Sequence, residues 1–298
     1  MASPVQFRSG DGYELAGWYH AAAGAAAPRR LAVVHCGAGI PASRYQRFAA
    51  FLAESGIPAL TYDYRGIGRS RPQSLQGFDA TMADWSEHDC AAAIGWLRER
   101  SAAAEIVGIA HSAGAWLVGG AHNAADQAQL VLIGGHTGYW GDYAARYRLP
   151  MTLLWHGVMP ALTRAVGYFP GRRLGLGEDL PAKVALQWAA RRSPELRPAG
   201  NDPGSVRERM LLDRCASLQR PALLISVSDD AFATAAGARR LMAYYRRLSP
   251  VQHLRFTPAD AGLRRIGHFG FFRRQAGRVL WPRLLAELNA GPKVTGPK

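Results

Sequence analysis

Ala110-His111-Ser112-Ala113-Gly114 stands between an apolar run, Glu105–Ala110 (EIVGIA), and the start of a helix. A serine hydroxyl works as a nucleophile only when the backbone presents it. A sharp strand-to-helix turn does so, provided the residues two before and two after are small. Here they are Ala110 and Gly114, the A-x-S-x-G form of G-x-S-x-G, with further small residues at Ala113 and Ala115. Serines sit between small residues for packing reasons too. The strand before Ser112 and the helix after it are what single it out.

A second pattern offers different chemistry. A strand ends in Gly37-x-Gly39-x-x-Ala42, a helix follows, and Asp63 closes the next strand. An acid about twenty residues beyond such glycines is what a Rossmann unit offers to a dinucleotide's pyrophosphate and ribose. Two strands precede this unit, however, and Asp63 runs straight into Arg65-Gly66-Ile67-Gly68. Cys36, Cys90 and Cys215 have no close pairing, so neither a disulfide framework nor a thiolate metal site is expected. Cys36 reads as a small buried filler. His88, Asp89 and Cys90 are consecutive and point apart on a helix, so they form no metal site. His136 reads equally well as a cleft residue or a solvated loop histidine.

The elements that must position these residues alternate. Pro4–Arg8 and Glu14–His20 flank the turn cluster Ser9-Gly10-Asp11-Gly12 and predict a hairpin. Leu31–Val34, Pro58–Tyr62, Glu105–Ala110, Leu130–Ile133, Leu223–Val227 and Val251–Phe256 are apolar runs without polar alternation, the mark of strands buried on both faces. Tyr45, Phe48, Ala49 and Leu52 fall on one face of a helix that stops at Gly56. A further helix is predicted over Asp84–Arg98, with Asp84 and Glu87 spaced as a capping box. Strands alternating with helices predict an α/β fold with a mostly parallel sheet covered on both faces.

One interval breaks this rhythm: more than eighty residues separate Gly134 from Pro221. They hold Pro150, Pro160, Pro170, Pro181, Pro194, Pro198 and Pro203 among aromatics that include Trp140, Trp155 and Trp188. So much apolar surface predicts a packed cap over the open end of the sheet. The expected division is a core of residues 1–138 and 217–298 and a cap of 139–216.

At 298 residues, 48% hydrophobic and 19% charged, the chain is an ordinary globular one. Its formal charge of +14 comes from 33 Arg and 3 Lys, spread as doublets such as Arg172-Arg173, Arg191-Arg192 and Arg273-Arg274. No basic tail or nucleic-acid module is present, so solvated faces account for the charge and no nucleic-acid partner is expected. Attraction of anionic substrates stays open. The uncharged run Ile106–Ala125 contains His111, Ser112, His122, Asn123 and four glycines, and reads as a buried strand entering a buried helix, with no membrane span. No basic start precedes an apolar stretch at the N-terminus. The chain therefore reads as soluble and cytoplasmic.

With these segments in place, the chain resembles the α/β-hydrolase superfamily over about residues 5–285. His35-Cys36-Gly37-Ala38-Gly39 is similar to its oxyanion loop, and Asp63–Ser70 matches its D-x-R-G-x-G-x-S turn. Ser228-Asp229-Asp230-Ala231-Phe232 sits where the family places its acid, and Ile266-Gly267-His268-Phe269-Gly270 matches its histidine loop. The order Ser, Asp, His is the family order. The likeness is strongest to bacterial capped serine hydrolases of the esterase, monoacylglycerol-lipase and serine-aminopeptidase-like group, which Gly167-Tyr168-Phe169-Pro170-Gly171 also resembles. Departures are Ala110, Cys36 in place of the usual glycine, and Thr234 where a proline often follows the acid.

The resemblance implies a serine hydrolase that cleaves a carboxylic ester or related acyl bond, without cofactor or metal. Ser112 would be the nucleophile, His268 its base and Asp230 the acid, chosen over Asp229 because Thr234 follows it by four residues. Backbone N–H groups of Ala113 and of Gly37 or Ala38 would form the oxyanion hole. A small, apolar acyl substrate is expected. The same set would also serve an acyltransferase or thioesterase. A Rossmann enzyme leaves Ser112, Asp230 and His268 unexplained, and a silent binding protein would not retain all three.

Overall fold

In the computed structural model, which describes residues 2–24, 27–190 and 200–291, ten strands are present among those residues. Eight form one sheet: β1 (Ala2–Arg8), β2 (Glu14–His20), β3 (Arg30–His35), β4 (Ala59–Tyr62), β5 (Glu105–His111), β6 (Gln127–Ile133), β9 (Ala222–Val227) and β10 (Val251–Phe256). The remaining two, β7 (Tyr168–Phe169) and β8 (Leu180–Pro181), pair with each other. Spatial order in the large sheet is β1-β2-β4-β3-β5-β6-β9-β10. The hairpin β1–β2 is antiparallel and joins β4 antiparallel; from β4 to β10 every pairing is parallel.

The apolar runs explain the middle of this sheet. Leu31, Val33, Leu60, Ile106, Ile109, Val131 and Ile225 are all buried, because helices cover both faces. The last run differs. β10 is an edge strand, and His253 and Arg255 face solvent while Phe256 is buried. An edge leaves part of each strand face uncovered.

Of two helix predictions, one shifts. Phe48, Ala49 and Leu52 form the buried face of the helix Gln46–Glu54 as expected. The helix predicted from Asp84 instead begins at Met82: the Thr81 hydroxyl accepts from the Asp84 N–H at 3.1 Å, and the Asp84 carboxylate accepts from the Thr81 N–H at 2.7 Å. Asp84 thus closes a capping box rather than opening one. Glu87 pairs with Arg207 and Arg214. The coil then passes through a wider turn, Trp85–Cys90, into the helix Ala91–Arg100.

Between β6 and β9 lie helices Ala145–Leu153, Met159–Val166 and Ala182–Ala189, the short β7–β8 pair, and helix Pro203–Ser217. That last helix packs on the core helix Gly114–Gly120. Leu211 and Cys215 are buried there, and a Cβ at Gly120 would stand 3.1 Å from the Leu211 Cβ. Residues 191–199, with Arg191, Arg192, Pro194 and Pro198, lie outside the described residues. No described helix is long and apolar enough to cross a membrane.

Parallel strands place their following loops at one end of a sheet. The segments after β3, β5, β6, β9 and β10 therefore converge. They carry Gly37, Ser112, His136, Asp230 and His268.

Candidate active site

Ser112 has φ +55°, and it is the one non-glycine residue with positive φ among the described residues. Left-handed backbone costs an L-residue about 1 kcal/mol or more and persists where the surroundings enforce it. They do so here. The Ser112 N–H donates to the Ile133 carbonyl of β6 at 3.1 Å, and the helix Gly114–Gly120 begins two residues later. Crowding explains the glycine at 114: a Cβ there would lie 2.6 Å from the carbonyl oxygens of His35 and Cys36.

Three side chains meet in line. Ser112 Oγ lies 2.9 Å from His268 Nε2, and His268 Nδ1 lies 2.8 Å from Asp230 Oδ2. The other Asp230 oxygen accepts from the N–H groups of Phe232 and Ala233, both at 2.9 Å. Burial alone would raise this carboxyl; the charge and hydrogen bond of His268 and the two N–H groups outweigh it and bring it down to about 2. Asp229 points elsewhere. Its two oxygens accept from the N–H groups of Ile266 and Gly267 at 3.0 and 2.9 Å. It grips the segment that carries His268, a wider role than tightening its own turn.

His111, beside the serine, is fully buried. Tyr45 Oη lies 2.8 Å from its Nδ1 and accepts the Gly37 N–H at 3.0 Å, while His111 Nε2 lies 3.2 Å from the His268 carbonyl. Desolvation, then the neighbouring His268, pushes the His111 pKa well below the usual imidazole value. A neutral ring with its proton on Nε2 fits these contacts: the Tyr45 hydroxyl donates to Nδ1, and Nε2–H donates to the carbonyl. The Gly37 N–H is thus engaged by Tyr45, whereas Ala38 lines the cavity in front of Ser112. Ala113 is the N-cap of the helix Gly114–Gly120, so its N–H has no helical carbonyl one turn back.

His136 is the residue that sequence reasoning left undecided. Its Nε2 lies 3.2 Å from Ser112 Oγ, and its Nδ1 accepts the Gly138 N–H at 3.0 Å. With Nδ1 an acceptor, the neutral ring carries its proton on Nε2 and donates it toward Oγ. A histidine just past the strand beside the serine's own strand was the available signal.

Asp63, the acid a dinucleotide would need, is occupied within the chain: its oxygens accept the N–H groups of Ala42 and Arg69 at 2.7 and 3.0 Å. Arg65 and Ser70 of the same turn are buried as well. Arg65 reaches Asp89 and Asp11, and the Ser70 hydroxyl donates to the Asp63 carbonyl. The turn is structural.

Above Ser112 opens a cavity of about 1300 Å³. The insertion supplies its apolar wall, with Met151, Leu154, Trp155, Met159, Phe169 and Trp188. Arginines Arg44, Arg47, Arg273, Arg274 and Arg278 line another side.

A family model described as serine aminopeptidase, S33, matches residues 26–220, a stretch that contains Ser112 and ends before Asp230 and His268. Among solved structures, an esterase of Pyrococcus furiosus superposes with a TM-score of 0.62 at 15% identity, over 98% of this chain and 91% of that one. An α/β hydrolase of Penicillium sp. sh18 gives 0.59 at 17%, over 95% and 96%. A thermophilic esterase of Thermogutta terrifontis gives 0.56 at 15%, over 95% and 98%. At such identities the likeness is one of fold. No curated protein matches the sequence. The family match spans most of the chain, the sheet order and the serine turn agree with it, and the chain belongs to the serine aminopeptidase S33 family of α/β hydrolases.

Proposed function

We propose that the protein hydrolyses carboxylic esters through an acyl-enzyme on Ser112. The observation that carries this reading is the unbroken contact from Asp230 to His268 to Ser112, at 2.8 and 2.9 Å, under the cavity. Ser112 Oγ attacks the ester carbonyl carbon as its proton passes to His268 Nε2, and Asp230 stabilises the imidazolium that results. The tetrahedral intermediate collapses by breaking the bond to the alcohol oxygen, which takes that proton. Water then repeats the sequence: its proton goes to His268, its oxygen to the acyl carbon, and the acid leaves as the Ser112 hydroxyl is restored. N–H groups of Ala113 and Ala38 are the donors for the developing oxyanion, since Tyr45 engages Gly37. His136 donates to Oγ and so leaves the serine proton directed at His268.

No metal or cofactor enters these steps. The division into a core of residues 1–138 and 217–298 and a cap of 139–216 belongs to the same proposal, with helix Pro203–Ser217 tying the cap to the core. The apolar wall supports an acyl substrate with a hydrophobic chain. Cys36, Cys90 and Cys215 are free thiols, which supports a cytoplasmic setting. A thioesterase or acyltransferase uses the same acyl-enzyme and differs in the leaving group or the acceptor. The test is turnover on a panel of acyl esters. Ser112→Ala is expected to lower kcat by roughly four to six powers of ten while the protein stays folded; unchanged turnover would refute the assignment.

A further inference from the structure

We propose that the substrate of the Ser112 site carries a phosphate group, held by arginines at the cavity mouth; this rests on the ester-hydrolase reading and narrows it. The cavity lining is divided by origin. The insertion supplies most of the apolar side chains and one arginine, Arg172, while Arg44, Arg47, Arg273, Arg274 and Arg278 come from two core segments, which also supply Ile40, Phe269 and Phe272. Arg44 and Arg47 stand at the start of the helix Gln46–Glu54, and Arg273 to Arg278 at the start of the helix Arg274–Ala290. Phe48 and Phe51 pack on Trp281, so the two segments share one rim.

These five cations are not neutralised. Among the described residues none of them pairs with a carboxylate, and Glu178, the one acid in the cavity lining, is taken by Arg172. Elsewhere some arginines are matched, Arg65 with Asp89 and Asp11, Arg207 with Asp84 and Glu87, Arg240 with Asp142, while others, such as Arg239 and Arg246, pair with no carboxylate among the described residues but do not line this cavity. Arg274 and Arg278 are moreover one turn apart on a helix, where like charges repel, and Arg273 and Arg274 sit at its positive end. A compositional arginine bias scatters charge over the surface. Here the charge converges on the opening to a nucleophile.

Guanidinium forks match phosphate oxygens two at a time, and several of them suit a dianion with three acceptor oxygens better than a single carboxylate. Arg47, Arg274 and Arg278 also line an adjoining hollow of about 590 Å³ with Phe51, Trp281, Pro282 and one acid, Glu54, which forms no ion pair with them among the described residues. The cationic strip therefore continues from the cavity into this hollow. The acyl chain lies under the insertion, and the phosphate belongs to the alcohol or thiol that departs.

The test compares substrates with the same acyl chain and the same linkage: acyl phosphoglycerol against neutral acyl glycerol, and acyl-coenzyme A against neutral acyl-N-acetylcysteamine. In at least one pair the phosphate-bearing member should be preferred in kcat/KM by about tenfold or more, with the preference shrinking as salt rises. The responding pair names the source of the phosphate. Arg274→Glu with Arg278→Glu should abolish that preference. Arg239→Glu with Arg246→Glu, an equal charge change at exposed positions away from the cavity, should keep it. Equal rates on both members of both pairs, or a preference that survives the first double variant, overturns the proposal. Loss of all ester and thioester turnover in the native protein would instead count against the hydrolase reading itself.

Discussion

His268 and Asp230, on the sheet side of the cavity, are held by second hydrogen bonds, whereas the insertion above them meets the cavity with apolar surface. Asp230 keeps two backbone N–H groups, the His268 carbonyl meets His111, and Asp229 grips the two residues before His268. Across the cavity, the Trp155 indole N–H has no hydrogen-bond partner among the described residues, and Met151, Leu154 and Met159 meet the cavity with apolar side chains. A reacting centre needs atoms fixed to within about half an ångström, which bonded partners achieve. A wall that accepts acyl chains needs area more than direction. On the proposed function, the two regions differ because their tasks differ.

The largest effect should come from within the bonded region. Asp230→Asn is expected to reduce kcat by roughly three to four powers of ten, because the amide favours the wrong histidine tautomer. Asp229→Asn should cost stability instead, about 2 kcal/mol for two weakened carboxylate bonds, with a smaller loss of kcat. Denaturant melts and steady-state kinetics on both variants check this. The reverse ranking would make Asp229 the acid.

His136 tests how far the fixed region extends. His136→Phe removes a donor to Oγ and should lower kcat by about tenfold with KM little changed, as for loss of one hydrogen bond to the reacting group. His136→Gln, which keeps an N–H donor, should recover most of that loss. A packing role would give no such recovery.

The smallest effect is expected in the wall. Trp155→Ala should change the preference between short and long acyl esters several-fold, since a large ring leaves the cavity, with less effect on the shortest substrate. A uniform fall across chain lengths would make the wall a support and not a selector.

Much of this could be read from the chain because it depends on near neighbours. Ala110 to Gly114 is a local steric demand, and its strand and helix follow from hydrophobic pattern. What stayed hidden depends on contacts made only after folding. Asp229 reaches the N–H groups of Ile266 and Gly267, and His136 reaches Ser112 because β5 and β6 are neighbours. Tyr45 binds both the Gly37 N–H and His111, which no spacing rule would suggest. The Thr81 cap was hidden for another reason: Thr81 and Asp84 form one capping pair and Asp84 and Glu87 another, with the same spacing, and only the folded backbone, in which Thr81 and Asp84 exchange hydrogen bonds, separates them.

The central claim is that Ser112 is the nucleophile, activated by His268. Treating the native protein with a fluorophosphonate and mapping the adduct by mass spectrometry tests it directly. The predicted result is one modified peptide carrying the phosphonyl group on Ser112. Ser112→Ala should remove that label, and His268→Ala should slow its appearance by several powers of ten. Equal labelling of the Ser112→Ala protein, or an adduct on another residue such as Cys36, would contradict it.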